Sequence, residues 1–91
     1  MSSTLHITPI WGQRPAQPVV FGLPIKSVFG RRLCDTDGSI GFATQFSAET
    51  ALEIVDECRT ILTLTASDSR KLAQVRKWAL AGNELFAEWI H

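Results

Sequence analysis

Residues 66–90 read ASDSRKLAQVRKWALAGNELFAEWI, and the fold turns on how this stretch is read. Leu72, Val75, Ala79, Gly82, Phe86 and Trp89 follow one another at spacings of 3, 4, 3, 4 and 3. That rhythm belongs to a helix that packs along its whole length. Gly82-Asn83 is the one place where such a helix would kink or stop. Because Phe86 and Trp89 stay in phase with Leu72 and Val75, a continuous helix to Ile90 is expected. The small Ala79 and Gly82 at its middle would let a neighbouring backbone come close. A second row, Ala66, Ala73, Leu80 and Ala87, repeats every seven residues on another face. Its symmetry about Leu80 suits a two-fold antiparallel contact between chains. The alternative is that the row faces the first helix or the sheet of its own chain.

Working back from this helix, Thr65 with Asp68 three positions on forms a capping-box pattern. Ser47 is a second N-cap, with Glu49 placed favourably for the helix dipole. Between them Ala51, Leu52, Val55, Cys58, Ile61 and Leu62 form an apolar face. A helix over 47–64 joined by so short a link to a helix over 66–90 makes the two antiparallel neighbours.

Upstream the signals are β. Leu5 and Ile7 alternate with Thr4, His6 and Thr8, and Pro9 ends that strand. The stretch Trp11 to Pro18 is a loop of polyproline character. Val19 to Ile25 is extended, and Pro24 confines it to an edge. Ser27–Cys34 and Ser39–Phe46 read as the arms of a hairpin about Asp35-Thr36-Asp37-Gly38. The expected class is α+β in one small domain over 1–91. A small antiparallel sheet of three to four strands (residues 4–46) packs on a C-terminal antiparallel helical hairpin (47–64 and 66–90).

Composition narrows the function. The 91 residues are 45% hydrophobic and 20% charged, and nine basic side chains balance nine acidic ones. A dedicated nucleic-acid binder with a strong basic field is therefore not expected. The charge is unevenly spread. Residues 1–46 carry Arg14, Lys26, Arg31 and Arg32 against Asp35 and Asp37, a net +2. Residues 47–66 carry Glu49, Glu53, Asp56 and Glu57 against Arg59, a net −3. Residues 67–91 carry Arg70, Lys71, Arg76 and Lys77 against Asp68, Glu84 and Glu88, a net +1. Internal complementarity between an acidic helix and a basic one is the simplest reading of that pattern.

The residues that carry chemistry are sparse. There are two histidines and two cysteines, too widely spaced for a zinc site or a redox pair. Cys34 and Cys58 read as small buried hydrophobes. His91 is terminal, and His6 sits on the polar side of its strand. Asp35-Thr36-Asp37-Gly38 lacks the later acidic ligands of a calcium loop. No glycine-rich segment has the form of a phosphate loop. No catalytic residue, metal or cofactor is expected. The N-terminus has no leader pattern and no run suits a membrane span, so the cytoplasm is the expected compartment.

The expected function is a non-catalytic regulator or inhibitor that binds another protein, with self-association as one form of that binding. The candidate contact residues are Trp11, Arg14, Ala73, Trp78, Leu80, Leu85 and Ala87, since Trp and Arg anchor interfaces and the Leu80 row offers a flat helix face. The alternative is a nucleic-acid-binding regulator. It would use Arg31, Arg32, Arg70, Lys71, Arg76 and Lys77, if those groups converge on one surface. Arg70 and Lys71, read as first-turn residues, would call for an acidic neighbour to offset the helix dipole.

Overall fold

The computed structural model describes residues 4–10, 17–34 and 43–90, with Cys34 by its backbone alone. In chain order the elements are β1 (Thr4–Ile10), β2 (Val19–Phe21), α1 (Ile25–Cys34), β3 (Ala43–Phe46), α2 (Ala48–Ile61), α3 (Ala66–Leu80) and β4 (Glu84–Ile90). The class is α+β. A four-stranded antiparallel sheet has the order β2-β1-β4-β3, and α2 and α3 pack against each other as a hairpin. The first and last strands are therefore central neighbours, paired from Thr4–Ile90 to Ile10–Glu84.

The two helix starts are local chemistry and lie where the caps predict. Ser47 Oγ accepts from the Thr50 N–H at 3.1 Å, and Thr65 Oγ1 accepts from the Asp68 N–H at 3.1 Å. Each hydroxyl satisfies a donor that the first helical turn leaves free. Ala51, Ile54, Val55 and Cys58 of α2 are buried, as are Leu72, Val75 and Ala79 of α3.

The final helix, however, ends at Leu80. The Gly82 N–H donates to Ala79 O at 2.9 Å, and the Asn83 N–H donates to Trp78 O at 3.2 Å. This is the paired-bond stop of a Schellman motif, and Gly82 stands at φ 88 where it needs a residue without a Cβ. Nothing lies within 4 Å of a Cβ built on Gly82, so backbone conformation, not close approach, explains the glycine. Beyond it, Leu85, Ala87 and Trp89 alternate inward as a strand. Phe86 and Trp89, three apart and so on one side of a helix, fall on opposite faces of this strand, with Phe86 half-buried outside and Trp89 buried inside.

The expected hairpin arm at Ser27–Cys34 is also replaced. Ile25, Val28 and Phe29, at the i, i+3, i+4 positions of α1, are buried. Pro24 precedes the helix, where its missing N–H is no loss, and its carbonyl accepts from the Ser27 N–H at 3.1 Å. Arg31 and Arg32 stand in the last turn, the favourable end of the dipole for cations. The second expected arm is a strand over Ala43–Phe46, but it pairs with β4. The turn expected at Asp35–Gly38 lies outside the described residues. Of the extended stretch expected over Val19–Ile25, only Val19–Phe21 is a strand, at the sheet edge, and Ile25 already belongs to α1.

The inner sheet face is apolar. Phe21, Leu5 and Trp89 form one cross-strand row, and Pro9, Leu85 and Phe46 form another. Phe29 of α1 bridges the two edge strands, stacked on Phe21 with centroids 6.0 Å apart and edge-on to Phe46 at 6.1 Å. α2 packs against both α1 and α3, and α3 also lies against β2. Cys58 is buried in this core, as its position on α2 predicts. Burial, and next the Glu57 carboxylate beside it, push its thiol from 9.0 up to about 11. None of the described helices is long and apolar enough to cross a membrane.

Candidate docking face on the α2–α3 hairpin

The buried stripe of α3 leaves an opposite face in solvent. Arg70, Ala73, Lys77 and Leu80 are all exposed there, and Leu80 retains 59% of its surface. The Ala66–Ala73–Leu80 row is thus real and faces neither α2 nor the sheet. Its expected fourth member does not belong to it. Ala87 and Leu85 are on β4 with side chains fully buried in the core, so neither can contact a partner. Gly82 redirects the chain two residues past Leu80, and the symmetry about Leu80 is lost.

Trp78 is half-buried on the flank of the same helix. With Gln74, Lys77, Ala81 and Asn83 it lines an open cleft of about 460 Å³. Asn83 holds the floor of this cleft in place, since its Nδ2 donates to Trp78 O at 3.1 Å alongside its own N–H. Gln74 and Asn83 are not among the expected contact residues, because the cleft exists only where α3 stops at Gly82-Asn83. The other two contact candidates, Trp11 and Arg14, lie outside the described residues.

The basic residues divide sharply. Arg32 of α1 reaches across to α2 and pairs with Glu53 at 2.9 Å and with Glu57. That is the internal complementarity expected from the charge pattern, made by α1 rather than by α3. Arg70, Lys71, Arg76 and Lys77 form no ion pair among the described residues. Residues 69–83 hold these four cations and no acid. Arg70 and Lys71 fall past the first turn of a helix that begins at Ala66, so the dipole acts on them less than their expected first-turn position implied. Arg31 is exposed on α1, and α2 lies between that helix and α3. The six cations therefore do not converge on one surface.

The outer face of α2 carries the opposite sign. Glu49, Glu53, Asp56 and Thr60 are exposed on it. Glu53 answers Arg32, whereas Glu49 and Asp56 form no ion pair among the described residues. The sheet offers a second uncovered surface. Thr4, His6, Thr8, Val20 and Phe86 are half-buried on its outer side, with Ile10 and Ile90 exposed at its ends. His6 stands opposite Glu88 there, and its Nε2 lies 3.0 Å from Thr4 Oγ1.

No protein-family model, curated protein or solved structure matches this chain. The functional reading rests on the residues themselves.

Proposed function

We propose that this is a non-catalytic cytoplasmic regulator that binds another protein through the outer face of α3. The observation that carries the reading is the exposed pair Ala73 and Leu80 beside Arg70 and Lys77, which form no ion pair among the described residues. An exposed leucine at a helix end, a small residue one heptad earlier and flanking cations suit a partner that buries the apolar atoms and answers the charges. A phosphate backbone would answer only the charges and leave Leu80 without an apolar contact. The nucleic-acid alternative is further weakened by Arg32, whose charge is spent on Glu53 and Glu57.

The test is a photo-crosslinking residue at position 73, compared with the same residue at Gln45 on the sheet edge, in cells that express the protein. A protein adduct at 73 alone is expected. The purified adduct partner should bind wild type and lose binding to Leu80→Glu. Adducts to nucleic acid alone, or equal capture from both positions, would overturn the reading.

A further inference from the structure

The outer face of the helical hairpin carries two charge pairs of the same spacing and opposite sign. On α2, Glu49 and Asp56 are exposed seven residues apart. On α3, Arg70 and Lys77 are exposed seven residues apart. Seven residues are two helical turns, about 10.5 Å, so each pair marks one line along its helix. The hairpin folds back at residues 62–65. Counting outward from that link sets Glu49 level with Lys77, and Asp56 level with Arg70 and Lys71. The two lines lie side by side on one chain, yet none of these four side chains closes an ion pair among the described residues. Both lines point away from the core, since α2 and α3 bury the opposite sides of their circumferences.

We propose that the occupant of this face is a second copy of the chain. A two-fold axis parallel to the hairpin, passing between α2 and α3, lays α3 of one protomer on α2 of the other. Heights along the axis are unchanged by that rotation. Glu49 of each protomer then meets Lys77 of the second copy, and Asp56 meets Arg70. Ala73, between the two cations, lets the helices approach, and Leu80 comes to the first turn of α2 in the second copy. The result is an antiparallel four-helix layer with a sheet on each side. Two helices of this length span roughly 20 Å by 20 Å, about 400 Å² per partner and below the range of stable specific interfaces, so the dimer is weak and salt-sensitive. This inference rests on the docking reading above and names the partner.

Sedimentation equilibrium at low and high salt tests it, using wild type, Lys77→Glu, Glu49→Lys and an equimolar mixture of the two variants. Wild type should dimerise at low salt and dissociate at high salt. Each variant alone should associate about tenfold more weakly, because two symmetric contacts become repulsive. The mixture should recover dimers, since a heterodimer of the two variants restores opposite charges at both contacts. Circular dichroism checks that each variant folds. If either fails, Arg70→Glu with Asp56→Lys repeats the cycle at the other level. Wild type that stays monomeric at low salt, or a mixture that does not recover, overturns the proposal. A monomeric wild type whose position-73 crosslinker still captures a different protein overturns self-pairing and leaves the docking face standing. A monomer with no capture overturns both.

Discussion

α3 and β4 share one apolar rhythm in the sequence and adopt different structures. Over Ala66–Leu80 the rhythm is a helix stripe, with Leu72, Val75 and Ala79 buried and Leu80 in solvent. Over Glu84–Ile90 it is an alternation, with Leu85, Ala87 and Trp89 buried on one side of a central strand. Three residues separate the two regimes, and Gly82 and Asn83 supply the stop. The comparison teaches that a short apolar pattern does not choose its own period. A backbone stop chooses it locally, and a distant partner strand chooses it globally.

The strongest way to break the comparison is to remove what the strand buries. Trp89 is 1% exposed and sits beside Leu5 in the middle of the sheet. Trp89→Ala is expected to cost about 3–5 kcal/mol, a large part of the roughly 5–14 kcal/mol available to a domain of this size. Urea unfolding would measure it. Had the stretch been an exposed helix end, the same change would cost less than about 1 kcal/mol.

A smaller effect separates the two regimes at their joint. Gly82→Ala places a Cβ on a residue at φ 88, and the space around it is open, so the loss is purely conformational. About 1 kcal/mol is expected, read as a lower urea midpoint with an unchanged slope. A neutral or stabilising result would mean that α3 does not stop in this way.

What was legible in the sequence was local. The hydroxyls of Ser47 and Thr65 announce their helices because a cap bonds donors only three residues away. Periodicity within one element places Ala51, Val55 and Cys58 on the buried face of α2, but the expected face missed the buried Ile54 and included Ile61, which is 55% exposed where the helix ends. The two misread segments are those whose neighbours are far along the chain. Glu84–Ile90 becomes a strand because Thr4–Ile10 pairs with it residue for residue, and no window of sequence contains both. Ile25, Val28 and Phe29 carry a helical spacing, but their β-favouring side chains and the nearby Asp37-Gly38 made a hairpin the simpler reading. The candidate face was half legible. The Leu80 row is present on α3, while Leu85 and Ala87 belong to the core, and the partner of Arg32 could be found only once α1 proved to be a helix beside α2.

The mildest substitution sharpens the comparison most. Leu80 and Leu85 are five residues apart and meet opposite environments, 59% and 0% exposed. Leu85→Ala should destabilise the fold by about 2–5 kcal/mol, because it opens a cavity against Pro9 and Phe46. Leu80→Gln should change stability by no more than about 0.5 kcal/mol, since the side chain already lies mostly in water and Gln is nearly as good a helix former. The measurement is the same urea transition on both variants, at a protein concentration where wild type is monomeric. If Leu80→Gln destabilises as strongly as Leu85→Ala, Leu80 is held by its own chain. The docking face then loses its apolar contact, and only the charges on Arg70 and Lys77 remain to recruit a partner.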